Sequence, residues 1–298
     1  MYRFFCRIIY KLRSMGLAVP DSLFIPAYYY LSVGERLNVN NPKTFTDKIQ
    51  WLKMHDHNEK YHSLVDKQSV KKYVAEVIGE QYVIKTLAIW NSIDEIDVSG
   101  LPDQFVLKTT NGGGSTGVVI CKDKKDFDIE AAKQKLRWSA NYDIYQNMGE
   151  WAYKGVKPRV FAEEYIAPDN IDGDIPDYKW YCFNGVPKFC QVIKDRSGIE
   201  TIDFFDVSWN HQEFVGLNPL VGPSKEEPAR PEDIDIQIEI AQKLSKDMPF
   251  SRIDLYSINK KTYFGEITFY PASGIGSFTP QKYNDVLGEL LVLPCKTV

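Results

Sequence analysis

The chain has 298 residues, enough for one large domain or for two or three subdomains around a cleft. A hydrophobic share of 44%, with 26% charged and 13% aromatic residues, excludes a disordered or low-complexity polymer. A net charge of −4 excludes a molecule-wide electrostatic attraction to nucleic acid.

The opening segment MYRFFCRIIYKLRSMG repeats Arg3, Arg7 and Lys11 every four residues, while Phe4, Phe5, Ile8, Ile9 and Leu12 fill the other side. That is the pattern of a short basic amphipathic helix. Charges interrupt every apolar run, so it is neither a signal peptide nor a membrane span. Such a helix either packs on the body of the protein, the commoner use of a short apolar stripe, or lies on an anionic membrane surface. Pro20 and Pro26 interrupt the pattern, and a second helical stretch with Tyr28, Tyr29 and Tyr30 runs to Gly34. NPKTFTDKIQWLKMH reads as a helix with Asn41 or Thr44 as its cap and an apolar face of Phe45, Ile49, Trp51 and Leu52.

A further helix is expected over 67–77, closed by Gly79, followed by a β-like stretch over 82–90. Short strands over 105–108 and 118–121, a helix over 128–140 and an apolar run over 159–166 come next. The run holds the pair Glu163 and Glu164 and leads into APDNIDGDIPD, a candidate hinge. DYKWYCFNGVPKFCQVIKDR alternates about Asn184-Gly185, the strongest hairpin signal in the chain, and IETIDFFDVSW continues the sheet. A proline- and charge-rich linker over 219–231, an amphipathic helix over 232–246 and a second hairpin in RIDLYSINKKTYFGEITFY, turning near Asn259, complete the pattern.

Five cysteines, Cys6, Cys121, Cys182, Cys190 and Cys295, lack CxxC spacing, which argues against a disulfide framework or a zinc site and for a reducing cytoplasm. His55, Asp56, His57 and His62 lack the HExxH geometry that puts two ligands on one helix face. In FVLKTTNGGGSTGVVI, Gly112, Gly114 and Gly117 satisfy GxGxxG. A Rossmann site needs those glycines to open a helix, whereas Val118, Val119, Ile120 and Cys121 are β-like. Val119 even completes the kinase form of the loop, but HRD and DFG are missing, and a Walker A lysine would follow the glycines rather than precede them. What survives is a glycine hairpin whose N–H groups could cradle phosphate, with Lys108 as a fixed cation, or a mobile surface hairpin.

A phosphate lid calls for a metal site, because Mg²⁺ binds through one or two carboxylates and the substrate phosphates. Arg252 and Asp254 are two apart on one strand and share a face. With a turn over 259–261, Asp254 falls opposite Glu266, and Thr268 shares the face of Glu266. Facing carboxylates destabilise a sheet unless a cation neutralises them, so the pattern reads as a metal site, or else as paired surface charges. The following PASGIGSF is small and flexible enough to let a ligand approach the backbone.

Lys67, Lys108, the glycine hairpin, Glu163-Glu164 and the hairpin carrying Asp254 and Glu266, in that order, resemble the ATP-grasp superfamily. NPKTFTDKIQWLK, VDKQSVKKYV, LPDQFVLKTTNGGG, DYKWYCFNGVPKF and RIDLYSINKKTYFGEITFYPASG look like its TupA-like branch, linked to teichuronopeptide and other surface polysaccharide synthesis. The resemblance implies an α+β fold of ATP-grasp type, in which two α+β subdomains grip ATP. It divides the chain into an N-terminal helical extension over 1–62 and an ATP-grasp domain over 63–298, with a lid over about 105–162 and a metal-binding part over about 163–290.

The resemblance also implies roles. Lys67 and Lys108 would contact the ATP phosphates, and the loop of Gly112, Gly113, Gly114 and Ser115, through Gly117, would close over them. Glu163 and the backbone of Glu164, Tyr165 and Ile166 would form the adenine hinge, and Asp169 or Asn170 would reach the ribose. Asp254 and Glu266 would bind Mg²⁺. The superfamily usually has Asn two residues after the metal Glu; Thr268 stands there instead, and its hydroxyl would act directly or through water. Lys179, Lys194 and Arg196 fall where related ligases carry basic residues near the acyl phosphate, or are ordinary exposed charges.

The implied reaction moves the γ-phosphoryl group of ATP to a carboxylate and lets an amine displace phosphate from the acyl phosphate. Mg²⁺ and the lysines would neutralise charge on the phosphoryl group, and Arg252 charge on the oxyanion. The implied substrates are an amino acid or small amine and a uronic acid of a bacterial surface polysaccharide or its precursor. The cysteine pattern gives the location as the cytoplasm, and contact to the inner face of the membrane through residues 1–13 is the alternative to packing of the first helix on the body of the protein. A glycosyltransferase of the same pathways, releasing UDP or GDP, and a non-catalytic assembly factor docked by its basic N-terminal helix are the alternatives.

Overall fold

The computed structural model describes residues 1–114, 116–167, 175–194, 198–218 and 220–295. Five helices come first: α1 (Tyr2–Ser14), α2 (Asp21–Val33), α3 (Phe45–His55), α4 (Lys60–Val65) and α5 (Val70–Ile78). Thr44 caps α3 by accepting from the backbone N–H of Asp47, and Gly34 closes α2 in the left-handed region. Contrary to expectation, α2 runs through Pro26, and burial of Phe24, Ile25, Ala27, Tyr28 and Tyr29 outweighs the donor that Pro26 lacks. The helix after Lys67 starts three residues late because the Asp66 carboxylate accepts from the N–H groups of Gln68 and Ser69 and holds a turn there.

A four-stranded antiparallel sheet follows, built from β1 (Thr86–Trp90), β2 (Phe105–Thr109), β3 (Val118–Cys121) and, after α6 (Ile129–Ala140) and α7 (Ile144–Met148), β4 (Val160–Glu164). Its order is β1-β4-β2-β3. The expected strand over 82–90 is confined to its second half, since Glu80–Tyr82 forms a 3-10 turn. Asp128 caps α6 and Asp143 caps α7. The glycine loop joins β2 to β3 as a hairpin, with Lys108 paired to Val118.

The larger sheet has the order β10-β9-β5-β6-β7, from β5 (Asp177–Phe183), β6 (Val186–Lys194), β7 (Thr201–Asp206), and, beyond the short β8 (Val215–Gly216) and α8 (Ile234–Leu244), β9 (Phe250–Ile258) and β10 (Lys261–Thr268). β11 (Phe278–Thr279) pairs with β8, and α9 (Lys282–Leu290) follows. Both hairpins turn on two residues with positive φ, Asn184-Gly185 and Asn259-Lys260, whose twist suits the strands they join.

The main core lies under the larger sheet. Trp180 and Cys182 of β5 and Ile253 and Leu255 of β9 pack with α3, α5 and α8, and Phe45 of α3 meets Phe183, Phe250 and Phe278 edge to face. A second core joins α6 to the smaller sheet, and a third joins α1 to α2. Among the described residues no helix is long and apolar enough to cross a membrane.

Candidate active site

Side chains alternate along a strand, so the residues of the larger sheet that turn away from its helices form one surface. The pairings line up a row across four strands: Gln191 opposite Lys179, Lys179 opposite Asp254, and Asp254 opposite Glu266. These residues face a cavity of about 820 Å³ whose other wall carries the glycine loop, Lys108 and Glu163.

Three acids and three cations interlock there. Arg252 forks onto Asp254, with Nε 2.7 Å and Nη2 2.8 Å from the two carboxylate oxygens, and Nη2 also reaches Thr268 Oγ1 at 3.2 Å and Glu266 Oε1 at 3.5 Å. Lys179 bridges Asp254 and Asp177. Lys67 joins the two walls, donating to Glu266 Oε2 at 2.5 Å and to the carbonyl of Gly112 at 2.6 Å. Burial works against ionisation of Glu266, but Lys67, Lys179 and Arg252 outweigh it and hold its carboxyl well below the usual range. Burial raises Asp254, with Asp177 and Glu266 adding to the effect and Arg252 and Lys179 offsetting part of it. Arg252 is held above its ordinary value despite burial, because Asp254 faces it.

On the opposite wall Glu163, 3% exposed, pairs with Lys108 and, at 2.8 Å, with Lys71. Burial alone would lift the Glu163 carboxyl, and the two lysines reverse the sign. The exposed Glu164 pairs with Lys85, and Glu164, Tyr165 and Ile166 line the cavity edge. Gly112 and Gly117 pack against Thr109 and Ser139, while Gly113 and Gly114 stand in open space.

Lys67, Lys108, Gly112, Gly113, Gly114, Glu163, Glu164, Tyr165, Ile166, Lys179, Arg252, Asp254, Glu266 and Thr268 all line this one cavity. Lys194, at the end of β6 opposite Thr201, is not brought to its wall. Ser115, Asp169, Asn170 and Arg196 lie outside the described residues.

Sequence reasoning passed over four residues. Lys71 shares Glu163 with Lys108, Asp177 completes the charge cluster, and Gln191 ends the row. Asn111 lines the cavity with a buried amide oxygen that meets no hydrogen-bond donor among the described residues. Lys71 lies within VDKQSVKKYV, Asp177 opens DYKWYCFNGVPKF and Asn111 stands in LPDQFVLKTTNGGG, so membership of these segments was the available signal. The PASG loop is also more constrained than its composition suggested. Ala272, Ser273 and Gly274 all have positive φ, and α3 clamps them: Gln50 donates to the carbonyls of Ser273 and Gly274, and Lys53 to the carbonyl and hydroxyl of Ser273.

A protein-family profile described as TupA-like ATPgrasp matches residues 47–292. No curated protein matches the chain. Among solved structures, D-alanine–D-alanine ligase from Bacillus anthracis complexed with ATP aligns at 16% identity and a TM-score of 0.39, over 70% of this chain and 54% of that one. The D-alanine–D-alanine ligase from Helicobacter pylori gives 16% and 0.40, over 78% and 61%. N5-carboxyaminoimidazole synthetase from Staphylococcus aureus complexed with ADP gives 16% and 0.42, over 69% and 44%. The chain thus spans less than two thirds of the length of each of these structures.

Proposed function

The chain belongs to the TupA-like ATP-grasp family, and on that premise we propose that it is an ATP-dependent carboxylate–amine ligase working through an acyl phosphate. Its substrates on this reading are an amino acid or small amine and a uronic acid of a bacterial surface polysaccharide or its precursor, met in the cytoplasm. The observation that carries the reading is the pairing of Asp254 with Glu266 on a cavity wall that faces the glycine loop.

The donor set fits Mg²⁺ and a nucleotide. Two carboxylates, with no thiol or imidazole among the described residues of the cavity lining, suit a hard cation that takes oxygen ligands. Among the described residues no group of three or more His, Cys, Asp or Glu side chains is placed to hold a metal ion, and Mg²⁺ fits a two-carboxylate site when substrate phosphates supply further oxygens. Asp254 and Glu266 would hold the ion, with the Thr268 hydroxyl 3.4 Å from Glu266 beside them. Bound there, Mg²⁺ would neutralise charge on the phosphates.

The protein's own part is positioning and electrostatics. Lys108 presents its ammonium group to the phosphate tail from the wall of the glycine loop, and Lys67 from the junction of the two walls. Exposed N–H groups at Gly113 and Gly114 cover it, and the backbone over 164–166 takes the adenine. Arg252, fixed by Asp254, donates to the oxyanion that develops on the acceptor carboxyl, and Lys179 stands next to it in the row. The carboxylate takes the γ-phosphoryl group as the bond to ADP breaks; the amine then displaces phosphate and loses a proton.

The test is an ADP-release screen of amines against uronic acids with Mg²⁺, run on the parent and on Glu266→Gln. The reading predicts ADP release that requires both substrates and is abolished by Glu266→Gln in a protein that still folds. Full turnover in the variant, or release of UDP or GDP from a nucleotide sugar without use of ATP, would overturn it.

A further inference from the structure

The helix α1 has three distinct sides. One is buried: Cys6, Ile9 and Arg13 pack on α2. Arg13 is 2% exposed, pairs with Asp21, donates to the carbonyls of Val19, Tyr145 and Gln146, and stacks over the rings of Phe24 and Tyr145. The second side advances by the 100° step of the helix and carries Phe4, Phe5, Ile8 and Leu12 at 69%, 53%, 41% and 39% exposure, continued by Met15 and Leu17. The third carries the exposed Arg3, Arg7 and Lys11. Of the apolar residues that the sequence pattern assigned to packing, only Ile9 is buried.

We propose that this helix is a docking surface for an anionic lipid membrane. Soluble proteins seldom leave a contiguous stripe of large apolar side chains uncovered. A helix that lies in a membrane interface sinks such a stripe into the headgroup boundary, while flanking arginines and lysines extend their charges to the lipid phosphates. The charge pattern selects this occupant. The first twenty residues hold four basic side chains and no acid in a chain whose net charge is −4, and Arg13 is neutralised internally by Asp21, so Arg3, Arg7 and Lys11 remain for an external anion. A second copy of the chain fits worse, because a two-fold contact would set this basic side against itself.

The docking face is fixed relative to the active-site cavity. Gln146 of α7 donates to the carbonyl of Arg13, Arg13 donates back to the carbonyls of Tyr145 and Gln146, and Ile144 and Met148 of the same helix line the cavity. A membrane held by α1 would therefore hold the cavity at a set place beside the surface. The inference goes beyond the ligase reading and stands or falls independently of it.

Flotation of the full chain with vesicles tests it, using phosphatidylcholine alone and phosphatidylcholine with about one third phosphatidylglycerol, at low and high salt. Binding should be at least about tenfold stronger on the anionic vesicles and should weaken with salt. Phe4→Ser/Ile8→Ser and Arg3→Glu/Arg7→Glu should each reduce it at least about tenfold while leaving circular dichroism, the thermal melt and ADP release in solution unchanged. Equal binding to neutral vesicles, binding that survives both double variants, or no binding at all would overturn the proposal. So would a parent dimer in light scattering that Phe4→Ser/Ile8→Ser converts to a monomer.

Discussion

Glu266 stands directly across the ladder from Asp254 because Gly265 is an extra residue in its strand. From the two-residue turn, the pairs Ile258-Lys261 through Leu255-Phe264 run in regular order, and a regular ladder would next set Gly265 opposite Asp254. Glu266 would then point to the other face of the sheet. The bulge returns it to the cavity side and brings Thr268 opposite Arg252. A side chain at Gly265 would crowd the carbonyl oxygen of Asp254 at 3.0 Å and the ring of Tyr256 at 3.1 Å. Gly265→Val should therefore cost about 1–3 kcal/mol in denaturant unfolding and lower ADP release further than stability alone explains.

Removing the charge of Glu163 should act through the lysines it leaves behind. Glu163→Gln strands Lys71 and Lys108 together in a buried wall, a loss on the order of 3–5 kcal/mol at neutral pH. The parent carboxyl is held below its ordinary 4.5, so its contribution is complete above that value and is lost as pH falls through the lower folded value. Unfolding of the parent should show this acid loss, and Glu163→Gln should show less of it. A matching acid slope in the two proteins would place the titrating group elsewhere.

How much of this was legible in the sequence depends on how local each signal is. The two hairpins, the start of α3 at Thr44, one of its two candidate caps, and the strand–glycine loop–strand unit are set by neighbours within a few residues, and each was readable; Asp128, expected as the first residue of its helix, is instead the cap that precedes it. The shared face of Arg252 and Asp254 follows from strand alternation alone. The pairing of Asp254 with Glu266 was also expected, but from a turn over 259–261; the tighter turn at Asn259-Lys260 and the bulge at Gly265 reach the same register by another route. Lys71 and Lys72 are adjacent lysines on one helix, and only tertiary packing decides that Lys71 turns in to Glu163 while Lys72 stays exposed. Asp177 begins a strand buried along its whole length, so alternation gave it no distinguishing mark. Lys53 is not part of the apolar face of Phe45, Ile49, Trp51 and Leu52, and its partners Met148 and Ser273 come from distant parts of the chain.

That buried lysine makes a separate prediction. Burial pushes Lys53 down to about 8, with Glu150 and Asp21 offsetting part of the effect and Arg13 adding to it. An unfolded lysine keeps its proton up to about 10.5, so folding releases a proton between these values and stability gains as pH rises through that window. Below about 8 the cost of burying the charge is present in full. Lys53→Met removes that cost and flattens the alkaline arm of the stability profile, but it also deletes the donors that hold Ser273 in the left-handed region. Turnover should fall more than nucleotide affinity does, because the loop lies on the cavity wall beside Thr268 and Tyr270 rather than among the glycines.

The glycine loop separates residues needed for packing from residues needed for openness. A methyl group at Gly112 or Gly117 would collide with the hydroxyls of Thr109 and Ser139, which bond to each other at 3.0 Å, whereas at Gly113 it meets nothing within 4 Å. Gly112→Ala should cost about 1–3 kcal/mol and displace the carbonyl that accepts from Lys67, the link between the loop and Glu266. Gly113→Ala should leave stability within about 0.5 kcal/mol of the parent while weakening nucleotide binding, since any methyl there stands where phosphate must approach the backbone. The combination of Thr109→Ala and Ser139→Ala removes the obstacle, so adding Gly112→Ala to that background should cost less than adding it to the parent, a coupling that a thermal-melt mutant cycle measures directly. Strict additivity would mean that Gly112 is held by something other than these two hydroxyls.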